Sequence, residues 1–278
     1  MPERTFAGVS IDSVREFWNA NPCNVGHSPQ PVGTREYFDD VERRKYSVEP
    51  HIPVFAEFEK WKGKRVLEIG CGIGTTTMSF ARAGASVTAI DLSSESIALT
   101  KRRSELYGVE DRVRLFVGNG EQLSSIVPVE PYDLVWSFGV IHHSPHPEHI
   151  VREIRKYMTP QSEFRLMVYS RVSYKLFWIM REEGVWDMSR IDELIARNSE
   201  AQTGCPVTYS YTYESVRELL EGYRVLDASK AHIFTWDIPA YRQYQYKKDA
   251  AWANVSDEQL AALEKELGWH MLVKAVLA

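Results

Sequence analysis

The sequence VLEIGCGIGTTT, residues 66–77, decides the fold of this chain. A short apolar run leads into Gly70, Gly72 and Gly74, and a helical pattern opens directly after them. Glycine allows positive φ angles and lets a ligand approach the main chain closely. In open α/β sheets, ligands bind at the carboxyl ends of the strands. The stretch therefore predicts a strand, a ligand-binding loop and a helix, in that order.

The spacing of these glycines distinguishes two classes of ligand. A dinucleotide-binding loop has the pattern GxGxxG and lays a pyrophosphate on the N-terminus of the helix. Here the pattern is GxGxG, and Glu68 lies two residues before the first glycine. A carboxylate at that point repels a pyrophosphate but attracts the amino group of a cationic ligand. Both features argue against an NAD-dependent oxidoreductase.

Strands and helices alternate around this loop. Helical patterns lie at 75–83, 94–107 and 149–158. Alternation of this kind predicts right-handed βαβ crossovers and a mostly parallel sheet that is covered on both faces. The apolar runs of strand length lie at 64–69, 86–90, 112–117, 132–137 and 163–169.

The composition excludes several classes of protein. Of the 278 residues, 44% are hydrophobic, which is enough for a packed core and argues against disorder. The net charge is -5 with no clustered basic stretch, so we expect no nucleic-acid partner. Cys23, Cys71 and Cys205 are too far apart for a CxxC motif or a disulfide framework. The sequence has no signal-like core and no membrane-length apolar run, which predicts a cytoplasmic protein without a membrane partner.

Four segments carry a resemblance to a known family. They are VLEIGCGIGTTT (66–77), VTAIDLS (87–93), GNGEQL (118–123) and DLVWSFGVIHH (133–143). In their order and spacing they resemble the class I S-adenosylmethionine (SAM)-dependent methyltransferases, in the small-molecule branch that includes ubiquinone-biosynthesis enzymes. The resemblance covers about 64–169 well and the flanks more loosely.

The resemblance implies a role for each of these segments. Glu68 and the glycine loop would hold the methionine part of SAM, Asp91 the ribose hydroxyls, and Leu92 would lie against the adenine. The sequence departs from the family at Asn119, where an Asp is common, although an amide carbonyl can still accept a hydrogen bond from the adenine amine. Ser137 and Phe138 would line the wall near the sulfonium. The complete set of expected cofactor residues is Glu68, Gly70, Cys71, Gly72, Gly74, Asp91, Leu92, Asn119, Gly120, Ser137 and Phe138.

We therefore expect an α/β, Rossmann-like, seven-stranded sheet whose last strand is antiparallel. Its last two strands should lie near 223–234 and 269–277. Residues 1–60 are expected to form an N-terminal helical cap, and residues 61–278 a SAM-binding domain. Two insertions, at about 170–212 and 235–266, should complete the cap over the carboxyl ends of the strands.

The stretch HHSPHPEH, residues 142–149, has two interpretations. Histidines at this spacing can bind a metal, but the favoured interpretation is that His142 and His143 line the acceptor pocket without a metal. Either of them is a candidate general base, because an imidazole titrates near neutral pH. The alternative is that the pair provides only shape and hydrogen bonding.

Aromatic residues are frequent in the three expected cap segments. Such residues suit a closed pocket for a small ligand, although for any single one the favoured interpretation is the segments' own core. The predicted substrate-binding residues are Tyr37, Tyr46, Tyr209, Tyr211 and Tyr241.

The function predicted from the sequence is methyl transfer from SAM to O, N, S or C of a small molecule. A peptide or protein methyltransferase of the same fold and a non-catalytic SAM-binding regulator are the alternatives. The oligomeric state stays open, with a homodimer as one option.

Overall fold

The computed structural model describes residues 5–202 and 204–278. Its centre is a sheet of seven strands in the order β3-β2-β1-β4-β5-β7-β6. β7 pairs antiparallel with both β5 and β6, and the other pairings are parallel. The predicted fold class is confirmed. The strands are β1 (Arg65–Ile69), β2 (Ser86–Asp91), β3 (Val113–Val117), β4 (Leu134–Phe138), β5 (Glu163–Tyr169), β6 (Tyr223–Ala231) and β7 (His270–Leu277).

Helices cover the sheet and its carboxyl edge. They are α1 (Ile11–Ala20), α2 (Arg35–Val48), α3 (His51–Ala56), α4 (Thr75–Arg82), α5 (Ser94–Tyr107), α6 (Pro147–Ile154), α7 (Tyr174–Glu183), α8 (Ile191–Gln202), α9 (Tyr213–Leu219), α10 (Ile238–Arg242) and α11 (Asp257–Leu267). None of the helices in the described part of the chain is long and apolar enough to cross a membrane.

Side chains alternate between the two faces of the sheet, which explains why both faces are buried. Along β4, Leu134 and Trp136 belong to the apolar cluster that includes α3 and α4. Val135 belongs to the cluster on the other face, which includes residues of α6 and α9. Successive side chains of a strand point to opposite faces, so a strand buried on both faces reads as one continuous apolar run.

The helix at the end of the second insertion packs against the sheet. α11 begins with the capping box that Ser256 and Gln259 predict. It contacts β6 and lies in the connection from β6 to β7, its antiparallel neighbour.

Candidate functional site

The glycine loop after β1 requires glycine for two physical reasons. Gly70, Gly72 and Gly74 all have positive φ, at 78°, 52° and 77°. A Cβ on Gly70 would lie 2.3 Å from Cγ2 of Val140, and one on Gly74 would lie 2.8 Å from Cγ2 of Thr100. Real Cβ contacts do not come this close, so side chains are excluded by sterics as well as by the backbone angles.

Asp91, at the carboxyl end of β2, holds this loop in place. Its Oδ2 accepts a hydrogen bond from the backbone N–H of Gly72 at 2.8 Å, and Oδ1 accepts from the N–H of Ser93 at 2.9 Å. Burial raises the pKa of Asp91, while the backbone donors act in the opposite direction. Each carboxylate oxygen has a second lone pair, so Asp91 can accept further hydrogen bonds from ligand hydroxyls.

Glu68 is turned away from the loop and into the protein. It is 1% exposed and its two oxygens accept hydrogen bonds from the hydroxyls of Thr76 and Thr77 in α4. Burial raises the pKa of Glu68 to about 7, against the lowering effect of those hydroxyls. Each carboxylate oxygen keeps a second lone pair beside these bonds, so the expected contact of Glu68 with an amino group stays a prediction. Glu68 reaches the neighbouring cleft only through Thr76, which does line it.

One cleft lies at the carboxyl edge of the parallel strands. It contains about 1010 Å³ of space between atoms, including the part that opens to solvent. Of the expected cofactor residues, those that line it are Gly70, Cys71, Gly72, Asp91, Leu92, Asn119, Gly120 and Phe138.

Three expected cofactor residues do not line the cleft. Besides Glu68, these are Gly74, which packs on Thr100, and Ser137. The Ser137 hydroxyl donates to the backbone carbonyl of Ile69 at 3.2 Å. Gly74 is the N-cap of α4 and Ser137 ties β4 to the end of β1, so neither residue forms the wall of the cleft.

Asn119 caps the helical turn Gly120–Ser125 that follows it. Its Oδ1 accepts from the backbone N–H of Glu121 at 2.9 Å. A carbonyl oxygen has two lone pairs, so this bond leaves a second one for a ligand donor. The expected contact with an adenine amine is compatible with the geometry.

The first helix, α1, lines the cleft; it lies in the segment 1–60 that was expected to be helical, but its lining residues were not predicted. Ile11, Val14 and Trp18 of α1 line the cleft together with Cys23 and Asn24. Ser10 caps α1, accepting from the N–H of Ser13. The signal that could have found this helix is the capping serine followed by apolar residues at helical spacing. Lys45 of α2 is a further lining residue that was not predicted.

His143 is the member of the histidine pair that reaches the cleft. Its Nδ1 lies 2.8 Å from the backbone carbonyl oxygen of Val207, and its ring packs edge-on against Trp18 with centroids 5.2 Å apart. A carbonyl oxygen can only accept, so this contact assigns the proton to Nδ1 and leaves Nε2 as the basic nitrogen. The ring is thereby fixed in the tautomer that a general base at the cleft requires.

His142 lies deeper and does not line the cleft. Its ring is fully buried against Tyr169, with centroids 3.9 Å apart. Burial lowers the pKa of His142 well below its usual value, and His143 lowers it further. His142 therefore stays neutral and packs as part of the core.

The other two histidines of HHSPHPEH form a separate group at the start of α6. His146 Nδ1 and His149 Nε2 each lie 3.7 Å from Oε1 of Glu148. All three side chains are partly exposed. The four histidines of this stretch thus form two separate pairs, because the chain turns between Ser144 and α6.

The predicted substrate-binding tyrosines are not brought together in the cleft. Tyr37 is fully buried, and its hydroxyl donates to the carbonyl of Val25 at 2.8 Å. The Tyr46 hydroxyl lies 2.7 Å from Oγ of Ser79. Both residues anchor α2 to the domain, which is the alternative that the sequence left open.

The remaining three tyrosines pack in the flanking segments. The Tyr209 hydroxyl accepts from the N–H of Phe6 at 3.2 Å, which ties the N-terminal segment to the first insertion. Tyr211 is buried beside β5, where it bridges to Ser170. Tyr241 packs against the guanidinium of Arg44 at 3.9 Å. Aromatic composition alone could not distinguish these packing roles from substrate contacts.

A second group of histidines lies beside Phe138. His51, His232 and His270 come from different parts of the chain, and the rings of His51 and His270 are 6.1 Å and 5.7 Å from that of Phe138. Burial lowers the pKa of His51 to about 3 and that of His232 to about 4, so these rings are neutral at physiological pH.

Comparisons with known proteins agree with this geometry. Residues 67–164 match the model of the family described as "Methyltransferase domain". The chain is 34% identical over 118 residues to the mitochondrial ubiquinone biosynthesis O-methyltransferase of Schizosaccharomyces pombe, which covers 42% of each protein. It is 35% identical over 98 residues to the ubiquinone biosynthesis O-methyltransferase of Aeromonas salmonicida, covering 35% of this chain and 40% of that relative. The matches thus span less than half of these relatives.

Solved structures show the same fold over nearly the whole chain. Magnesium protoporphyrin IX methyltransferase from Synechocystis, solved with bound S-adenosylhomocysteine (SAH), superposes with a TM-score of 0.61 at 13% identity and covers 97% of this chain and 100% of its own. The [4+2]-cyclase SpnF superposes with a TM-score of 0.55 at 16% identity, covering 96% of this chain and 93% of its own. These likenesses show that the chain has the fold of these proteins. The strand order and the match of residues 67–164 to the methyltransferase-domain family support a class I SAM-dependent methyltransferase.

Proposed function

We propose that this protein transfers a methyl group from SAM to a small molecule that binds in the same cleft. One observation carries the proposal: the glycine loop, Asp91 and His143 all face a single cleft. Methyl transfer requires a place for the donor and a place for the acceptor. The loop and the carboxylate can hold the donor, and the nitrogen base can face the acceptor.

The cofactor roles follow from what each group can donate or accept. Asp91 is suited to accept from the ribose hydroxyls, because its oxygens keep free lone pairs after binding Gly72 and Ser93. Leu92 and Asn119 lie beside it on the cleft wall, where they would border the adenine. Because Gly70 and Gly72 carry no side chains, the methionine part of SAM can approach the main chain of the loop.

SAM supplies an electrophilic methyl group on a sulfonium when it is bound. Nε2 of His143 can take the proton that a hydroxyl acceptor loses. Holding donor and acceptor in line can itself lower the activation barrier by about 7–11 kcal/mol. Proton removal by His143 therefore adds to the effect of positioning and does not replace it.

The cover over the cleft favours a small acceptor. Ile11, Val14 and Trp18 of α1 form part of the cleft wall, which leaves a partly covered and largely apolar space. Pockets of this kind suit small ligands better than extended peptides. A hydroxyl is the first acceptor to test, because the curated relatives named above are O-methyltransferases.

A fold does not by itself establish the reaction, as a structural neighbour that is a [4+2]-cyclase illustrates. The test is to incubate the protein with methyl-labelled SAM and a panel of phenols, catechols and short peptides. Label should pass to a small hydroxylated compound with equimolar formation of SAH. Transfer only to peptides would support the alternative acceptor class, and SAM binding without any transfer would support a regulator or a different reaction. The cytoplasmic location and the oligomeric state remain predictions from the sequence.

A further inference from the structure

A compact set of metal-ligand side chains lies next to the cleft, outside the residues used above. One ligand atom from each of Glu49, His232 and His270 lies within 4.8 Å of the others. His270 Nε2 is 3.8 Å from Oε1 of Glu49, and the rings of His232 and His270 have centroids 4.7 Å apart. Ligand atoms around a tetrahedral zinc ion are about 3.3 Å apart, so small side-chain rotations would suffice. We propose that Glu49, His232 and His270 bind one divalent transition-metal ion of the zinc or ferrous class.

The fold brings these residues together from three separate elements. Glu49 follows α2, His232 follows β6, and His270 is the first residue of β7. His232 has a φ of 71°, which is uncommon for a residue with a side chain. Its carbonyl accepts from the N–H of Trp269 at 2.9 Å, which holds this turn next to His270. Non-glycine residues kept in such conformations are concentrated at functional sites.

His51 is placed to orient one of the ligands. Its Nε2 lies 2.9 Å from Nδ1 of His270. When Nδ1 of His270 donates this hydrogen bond, the lone pair of His270 is on Nε2, which is the nitrogen nearer to Glu49. Metal-binding histidines usually donate their second ring nitrogen to a neighbouring acceptor in this way. His51 is therefore a positioning residue in the proposal and not a ligand.

The ligand types decide the class of metal. Two imidazoles with one carboxylate are a set that zinc and non-haem ferrous iron use, and it leaves coordination positions open. Calcium and magnesium prefer oxygen ligands. Two nitrogen ligands therefore favour transition metals over magnesium or calcium.

The proposed site differs from the one that the sequence suggested and set aside. That alternative used residues 142–149, and the expectation was that no metal binds there. The new site lies beside Phe138, whose ring lines the cleft and packs edge-on against His270 at 5.7 Å. A metal here would sit one aromatic ring away from the cleft.

Metal titration of the full-length protein tests the proposal without any need for SAM or an acceptor. The protein is first treated with a chelator, then titrated with Co²⁺ while visible absorption is recorded, and Zn²⁺ affinity follows by competition. We expect one ion per chain and the visible bands of a low-coordinate Co²⁺ site. His232→Ala and Glu49→Gln should each weaken Zn²⁺ binding by more than about tenfold, and His51→Gln by about 10–100-fold.

His149→Ala is the matched control, because it removes a histidine from the other histidine–carboxylate group of the described residues. Circular dichroism of each variant checks folding, and Glu49→Gln, at a partly exposed position, keeps the test valid if a histidine variant is unstable. The proposal is overturned if the unaltered protein gives no Co²⁺ bands, or if His149→Ala abolishes binding while Glu49→Gln does not. Because no methyl transfer is measured, failure here leaves the proposed function standing.

Discussion

Replacing Gly70 by alanine tests how the glycine loop determines both stability and binding. The left-handed backbone, with φ of 78°, costs a residue with a Cβ about 1–2 kcal/mol. The new Cβ would also lie 2.3 Å from Cγ2 of Val140. Overpacking of this kind typically costs about 1–3 kcal/mol, because the neighbour must move. Gly70→Ala should therefore lower the free energy of unfolding by about 2–5 kcal/mol.

Gly108→Ala is the control that separates the two contributions. Gly108 ends α5 with a φ of 64°, and a Cβ there would meet nothing within 4 Å. This variant should lose only about 1–2 kcal/mol and keep its affinity for SAH. Adding Val140→Ala to Gly70→Ala should restore part of the lost stability, since it removes the clashing methyl groups.

Urea unfolding and calorimetry with SAH measure these effects. Gly70→Ala should bind SAH more weakly than the unaltered protein even where it is fully folded, because Gly70 lines the cleft. Equal stability losses for Gly70→Ala and Gly108→Ala, together with unchanged SAH affinity in both, would refute the role assigned to the loop.

Three further predictions concern single side chains. Asp91→Ala should weaken SAH binding by about 1.5–3 kcal/mol, the scale for hydrogen bonds to a charged group, and full affinity in calorimetry would exclude the ribose assignment. Burial raises the pKa of Glu68 from 4.5 to about 7, so between these pH values the folded state keeps a proton that the unfolded state has released. Stability should therefore fall as the pH rises through this window, by up to about 1.4 kcal/mol per unit. Urea unfolding of Glu68→Gln should lack this component, and parallel pH curves for the two proteins would contradict it. His143→Ala should lower the methyl-transfer rate by about 10²–10⁴-fold with little change in SAH affinity, whereas His149→Ala should not. A near-normal rate in His143→Ala across pH 6–9 would mean that positioning alone explains the methyl-transfer rate.

Local patterns in the sequence were sufficient to predict the sheet and that the glycine loop and Asp91 lie at one cleft. The glycines after β1 and Asp91 at the end of β2 belong to short segments whose strand–loop–helix order fixes where they lie. Parallel strands then bring their carboxyl ends to one edge, so residues far apart in sequence meet without further information.

The orientation of individual side chains could not be predicted in the same way. Glu68 precedes the loop as expected, but the hydroxyls of Thr76 and Thr77 draw its carboxylate into the protein. The choice between His142 and His143 depends on the carbonyl of Val207, which comes from a distant insertion. His142 and His143 are adjacent and chemically identical, but the fold places them in different surroundings.

The flanking segments were the least predictable part. Tyr37 is as apolar and aromatic as a pocket residue, yet it packs in a core with Phe38 and Ile73. Glu49, His232 and His270 show no common motif: the antiparallel pairing of β6 and β7 brings the two histidines together, and Glu49 comes from the end of α2. Contacts of this kind depend on tertiary structure and leave no periodic signal in the sequence.

The central claim is that the cleft at the glycine loop is a SAM site, and calorimetric titration of the purified protein with SAH tests it most directly. One SAH should bind per chain, and a parallel titration with NAD should give no binding, because the GxGxG loop lacks the pyrophosphate-binding spacing. Absence of SAH binding by the folded protein, or saturable binding of NAD in its place, would contradict the claim.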